Sequence, residues 1–130
     1  VLTYSAMTPL AVKTADEMGI DAEVIDLRSL DRAGLDWETI GASVKKTNNV
    51  VVLEQGPLSV SYGAMVTDEP ERRYFDYLDQ PVKRIHGGES SPSVSKVLER
   101  AAFVGIEEIR AGFAQVLADS GRSLSLVRAA

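Results

Sequence analysis

The sequence predicts an α/β protein, a three-layer α/β/α sandwich around a mainly parallel sheet. Three observations carry that expectation. Short apolar, β-rich runs alternate with amphipathic stretches along the chain. The junctions between them hold cap and stop residues. One run, residues 50–53, is four apolar residues in a row, as befits a strand covered on both faces.

The elements follow in order. Residues 1–5 form the first strand. Thr8 then offers an N-cap, Pro9 suits the first helical position and Gly19 the left-handed C′ site, so 9–18 is a helix. The second strand is 22–27. After a polar loop, Asp36 caps a helix that ends near Thr47, with Trp37, Ile40 and Val44 on one face. The third strand, 50–53, leads through Gly56-Pro57 to a helix over 62–78 that offers Met65, Tyr74, Phe75 and Leu78 for burial. Pro70 should bend or split this helix, because it removes a backbone donor and crowds the preceding turn. The fourth strand, 82–85, precedes Gly87-Gly88, a Ser-rich loop and a short helix over 95–101. A last helix starts near Gly105, places Glu107 and Glu108 where the helix dipole favours acids, and buries Ile109, Phe113, Val116 and Leu117. Gly121 stops it. The organisation is one domain over 1–120 and a tail over 121–130, without internal repeats.

Composition bounds the chemistry. The 130 residues carry 14 Lys+Arg against 19 Asp+Glu, a net charge of −5. A chain of this size holds a core without disulfides or metal. It has no Cys and one His, which excludes disulfide scaffolds, thiolate zinc sites, Cys nucleophiles and multi-His metal sites. The acidic balance argues against nucleic-acid binding, which needs a basic footprint, and favours a basic partner. No apolar run approaches the roughly 18 residues of a membrane span, and no signal-peptide layout is present, so a cytoplasmic location is expected. The chain starts at Val1 inside a strand, which suggests a piece of a longer polypeptide.

Several motifs invite a chemical reading. Ser59-Val60-Ser61-Tyr62-Gly63 is one residue from the G-x-S-x-G nucleophile elbow, and His86-Gly87-Gly88 resembles an oxyanion loop. A serine hydrolase using Ser61 and His86 is therefore one reading. Against it, Ser61 stands several residues past its strand and the glycines follow the serine instead of preceding it. The plainer reading makes Ser61 the cap of the helix at Tyr62 and His86 a polar residue at a strand end. A receiver-like phosphorylation site is unsupported, because Ser5-Ala6 and Glu54 occupy the positions its acids need. Ser5 and Glu54 do border the crevice where open α/β sheets commonly bind small ligands. Neither a dinucleotide fingerprint nor a P-loop occurs. Asp76 and Asp79 stand i, i+3 at the end of a helix, where the dipole disfavours acids. Either Arg72 pairs with Asp76 one turn on, or the two acids form a patch for a basic partner.

Two stretches, AEVIDLRSL (22–30) and SYGAMVTDEPERRYFDYLDQPVKR (61–84), resemble the C-terminal domain of the β subunit of thiamine-diphosphate-dependent 2-oxo acid dehydrogenases, in the transketolase superfamily. SVKKTNNVVVLEQG (43–56) and GGESSPSVSKVLERAA (87–102) resemble it in the same order and spacing, so the likeness reaches about Leu117. The PSVSKVLERAA segment is closer to pyruvate or acetoin dehydrogenases than to branched-chain ones. The resemblance implies a transketolase C-terminal-domain-like fold, the present strands lying two-one-three-four with strand two an edge open to pairing through 22–27. It implies a non-catalytic domain with no cofactor or metal of its own. Thiamine diphosphate and magnesium would lie between the α subunit and the β subunit's N-terminal domain. The implied partners are the α subunit, a second β subunit, and the small basic subunit-binding domain of the dihydrolipoyl acyltransferase. By position the family's docking acids fall in LDQPV, which makes Asp79 the first contact and Asp76 the second. Two features depart from the family pattern. Pro70 replaces a common aliphatic residue inside its helix, and the tail past Leu117 exceeds the usual ending, where in related enzymes the terminal carboxylate also receives the partner's basic residues. A C-terminal domain of a transketolase or of a deoxyxylulose-phosphate synthase is the nearest alternative.

Overall fold

The structure, a computed structural model, describes residues 1–89 and 93–121. Residues 90–92 of the Ser-rich loop and 122–130 of the tail lie outside the described residues. Four strands form one parallel sheet in the order β2-β1-β3-β4, where β1 is Leu2–Thr3, β2 Ile25–Asp26, β3 Val51–Pro57 and β4 Lys83–Gly87. The expected two-one-three-four order is the one observed. Strands β1 and β2 are shorter than the apolar runs suggest, while β3 and β4 extend further at their C-terminal ends.

The period-two alternation of β3 builds two cores at once. Val51 and Leu53 face α1 (Met7–Met18) and α5 (Ile106–Asp119), meeting Met7, Ala11, Ile109 and Phe113. Val50 and Val52 lie in the opposite core, with Ile40 and Val44 of α2 (Trp37–Thr47) and Val66 of α3 (Tyr62–Tyr74). Those two faces are the outer layers of the sandwich. Asp36 caps α2 as its position demands, accepting from the Thr39 amide at 3.0 Å and its hydroxyl at 2.6 Å. Gly19 closes α1 at φ 65°, a left-handed conformation that glycine adopts without steric cost.

Local expectation and structure differ in four places. Helix α1 begins at Met7 with Ala6 in the cap position, and Thr8, half-buried within the first turn with its hydroxyl unpartnered, caps nothing. Helix α3 is not split at Pro70; it continues to Tyr74 and passes into a 3₁₀ turn over Phe75–Tyr77. Pro70 is buried, and the preceding Glu69 is clamped by Arg32 and by Arg73 at 2.7 Å, contacts that help to offset the lost backbone bond. Phe75 is 74 % exposed, not buried. Arg72 pairs with Asp68 at 3.6 Å one turn earlier, not with Asp76, because the chain leaves α-helical geometry before Asp76. Between β4 and α5, the short helix α4 (Lys96–Ala102) buries none of its residues, and α5 ends at Asp119, followed by Gly121 at φ 68°.

Candidate functional site

The two regions singled out by the sequence lie at opposite ends of the sheet. At the C-terminal ends of the strands, Glu54 of β3 is buried with its side chain fully inaccessible. Its carboxylate accepts from Tyr4 Oη at 3.1 Å, Ser61 Oγ at 2.5 Å, the Gly63 amide at 2.8 Å and Arg84 Nη2 at 2.8 Å. Arg84 comes from β4 and also donates to the Leu58 carbonyl at 2.8 Å. Three chain segments besides β3 are thereby tied to one acid. The consequence for Tyr4 is direct: burial first, then the neighbouring Glu54 charge, pushes its phenol up to about 12.

This arrangement corrects the reading of Ser61. The residue sits at the N-cap of α3 with extended backbone, yet its hydroxyl caps nothing. Glu54 does the capping instead, through the Gly63 amide. A Cβ at Gly63 would overlap the Glu54 carboxylate, so glycine is required there for space. His86 Nδ1 lies 2.8 Å from the Gly87 carbonyl, and among the described residues no hydrogen bond joins it to Ser61. Ser61 is held by an acid and a guanidinium, with no imidazole base to activate it. In the crevice near Ser5 and Glu54, the Glu54 carboxylate is taken up by Tyr4, Ser61 and Arg84. The α3 amide that could meet a phosphate is already given to Glu54, which does not suit a diphosphate cradle.

At the other end, the turn between α3 and β4 is pinned to the loop after α2. The Asp79 amide donates to the Asn48 carbonyl at 2.9 Å, and Asn48 Nδ2 donates to the Tyr77 carbonyl at 2.8 Å. Asn49 Nδ2 donates to Asp79 Oδ2 at 3.2 Å. Gln80 Nε2 donates both to Asn49 Oδ1 at 2.5 Å and to the Val116 carbonyl at 2.9 Å, tying the turn to α5. Asp79 is exposed, and so is Asp76 on the 3₁₀ turn beside it. Two carboxylates are thus presented on a turn whose backbone is fixed from two sides. Lys45 stands 5.1 Å from the Tyr77 ring and 5.8 Å from that of Tyr74, spending its charge on aromatic faces. Sequence reasoning located the acids but not the asparagines that hold them. The run Thr47-Asn48-Asn49 was legible only as a helix stop.

A four-stranded parallel sheet between two helical layers defines an α/β/α domain whose architecture recurs in a solved structure. A solved split-gene transketolase, described as an inactive β4 tetramer, matches with a TM-score of 0.71 at 22 % identity, over 92 % of this chain and 38 % of that one. The likeness there is one of fold. In sequence, residues 1–109 match the family described as the transketolase C-terminal domain, and the chain belongs to that family. It is 38 % identical over 117 residues to the 2-oxoisovalerate dehydrogenase subunit beta of Pseudomonas aeruginosa, covering 90 % of this chain and 32 % of that protein. It is 39 % identical over 112 residues to the mitochondrial pyruvate dehydrogenase E1 component subunit beta-1 of Arabidopsis thaliana, covering 84 % and 30 %. The chain spans about a third of the length of these relatives. Identities so close do not separate the pyruvate from the branched-chain type.

Proposed function

We propose that this chain is the C-terminal domain of a 2-oxo acid dehydrogenase decarboxylase β subunit, and that it serves assembly with an α subunit and a second β subunit and docking of the dihydrolipoyl acyltransferase. The observation that carries the docking reading is the Asp79 carboxylate. It is exposed, accepts from Asn49 on a turn that Asn48 and Gln80 pin, and is seconded by Asp76 on a chain of net charge −5. A preorganised acid on a rigid turn costs little entropy when a basic partner arrives, and its field steers the encounter. Within the whole enzyme, oxidative decarboxylation of a 2-oxo acid, with pyruvate the first choice, would use thiamine diphosphate and magnesium held by other domains. Among the described residues no helix is long and apolar enough to cross a membrane, and no acid or histidine cluster of three is placed to hold a metal ion. A cytoplasmic complex accords with the first of these facts.

The test is calorimetric titration of the chain with the subunit-binding domain of a bacterial dihydrolipoyl acyltransferase, at low and high salt. Binding should be saturable, weaken with salt, and weaken roughly tenfold in Asp79→Asn, about 1.4 kcal/mol. A folded native chain that does not bind at low salt refutes the docking reading.

A further inference from the structure

Two arginines from different elements meet on one buried acid. Arg32, in the loop between β2 and α2, pairs with Glu69 of α3, and Arg73, one turn on, donates from Nε to the same carboxylate at 2.7 Å. Each arginine takes a different carboxylate oxygen. The Glu69 side chain is 3 % exposed, whereas those of Arg32 and Arg73 are 62 % and 46 % exposed, so the triad shows solvent two cations and no anion. Both guanidinium groups are held in place. That of Arg73 lies 4.9 Å from the centre of the Trp37 ring, and the loop that carries Arg32 is closed by the Gly34 amide, which donates to the Asp31 carbonyl at 2.9 Å. Each arginine spends one N–H on Glu69, and among the described residues neither bonds another acceptor. The rest of both forks is left unfilled.

We propose that Arg32 and Arg73, aligned by Glu69, form a binding site for the phosphate group of a small molecule, gripped between the two guanidinium forks on the solvent side of α3. Two cations drawn together by one acid repel each other, and an oxyanion seated between them removes that repulsion. Guanidinium forks match phosphate oxygens in pairs of parallel hydrogen bonds, and a phosphate has oxygens enough to bridge both forks. Glu69 and the Trp37 ring are positioning residues. They order the two long side chains before the ligand arrives, which lowers the entropy cost of binding. The size of the ligand follows from the field around it. A chain of net charge −5 repels an extended polyanion such as a nucleic acid, whereas a single phosphate feels mainly the local excess of one positive charge. The site uses none of the docking acids, and it stands or falls separately from the docking reading.

The experiment titrates the chain with inorganic phosphate at constant ionic strength, chloride making up the difference, and follows the melting temperature. The native chain should show a saturable rise, about 5 °C at phosphate tenfold above its dissociation constant. Arg32→Gln, a change at an exposed side chain, should bind phosphate roughly tenfold more weakly. Arg32→Lys keeps the charge and loses the fork, so its affinity should fall between the two. Arg72→Gln, on the same helix but paired with Asp68, should respond as the native chain does. The phosphorus NMR signal of the same ion reads binding without a melt, and it should broaden with the native chain and sharpen again with Arg32→Gln. No rise in the native chain overturns the inference. So does an equal rise in Arg32→Gln, or an equal loss in Arg72→Gln, since either result describes diffuse attraction to surface charge. Acetate acting as strongly as phosphate would overturn the assignment to phosphate.

Discussion

Replacing Glu54 with alanine removes the acceptor on which Tyr4, Ser61, the Gly63 amide and Arg84 converge. The largest consequence falls on Arg84, whose side chain is only 14 % exposed and whose Nε has no partner even in the native protein. Breaking a buried ion pair from one side costs about 3–5 kcal/mol, because the remaining charge stays desolvated. Arg84 keeps the Leu58 carbonyl and the Ser61 hydroxyl, which argues for the lower end, about 3 kcal/mol. A domain of this kind has roughly 5–15 kcal/mol in all, so the variant should fold but melt about 10 °C lower. Urea denaturation should show the loss as a lower midpoint at unchanged slope. Adding Arg84→Met should cost little more than Glu54→Ala alone, with a coupling of about 2 kcal/mol in the double-mutant cycle. Tyr4 gives an independent reading of the same carboxylate. Its phenol, at about 12, should fall in Glu54→Ala yet stay above the ordinary 10, because burial is the larger cause and remains. A Glu54→Ala variant that loses less than about 1 kcal/mol, or leaves Tyr4 untouched, would falsify the view that this acid organises the strand ends.

Other substitutions test neighbouring steps. Gly63→Ala, ordinarily favourable inside a helix, should destabilise by about 1–3 kcal/mol because the new methyl meets the Glu54 carboxylate; a stabilised variant would contradict the packing. The Tyr4 phenol is raised in the folded state, so its contribution is complete below pH 10 and disappears as pH rises toward about 12; the alkaline limb of a stability–pH curve should flatten in Tyr4→Phe. Glu69 behaves in the opposite sense. Its hydrogen bond from Arg73, aided by Arg32, holds its carboxyl below the usual range, so its contribution is present above the ordinary carboxylate pKa and is lost as pH falls through the lowered one. Glu69→Gln should remove that part of the acid limb, and an acid limb identical to the native one would count against the pairing.

How much of this was legible in the sequence depends on how local each signal is. The apolar run 50–53, the Asp36 cap and Gly19 are decided within one turn or one strand, and all three are where the pattern puts them. The order of the sheet came from family resemblance, since no local pattern sets which strands are neighbours. Thr8 misled because a threonine before a proline fits a cap in the sequence, but the chain turns two residues earlier, with Ser5 at φ 56°. The Glu54 cluster was missed altogether. Its members lie 7 to 50 residues apart in sequence and meet only because β1, β3 and β4 are parallel neighbours. A faint signal existed: an acid ending the apolar run VVLE and an arginine inside the next strand, two charges where burial is expected. Asp79 was found by charge and resemblance, whereas the asparagines that fix it come from a loop thirty residues away in sequence. Ser61 drew attention as a nucleophile because a motif records spacing and not partners. Its partners in the structure are Glu54 and Arg84.

The most direct measurement of the docking account is amide hydrogen exchange of the chain, free and saturated with the acyltransferase subunit-binding domain. Added protection should appear over 76–80 and in the last turn of α5, which the Gln80 bridge joins to that turn, while 54–63 exchanges as before. Protection confined to 54–63 and 86–89, with none at 76–80, would place the partner at the opposite end of the sheet and contradict the account.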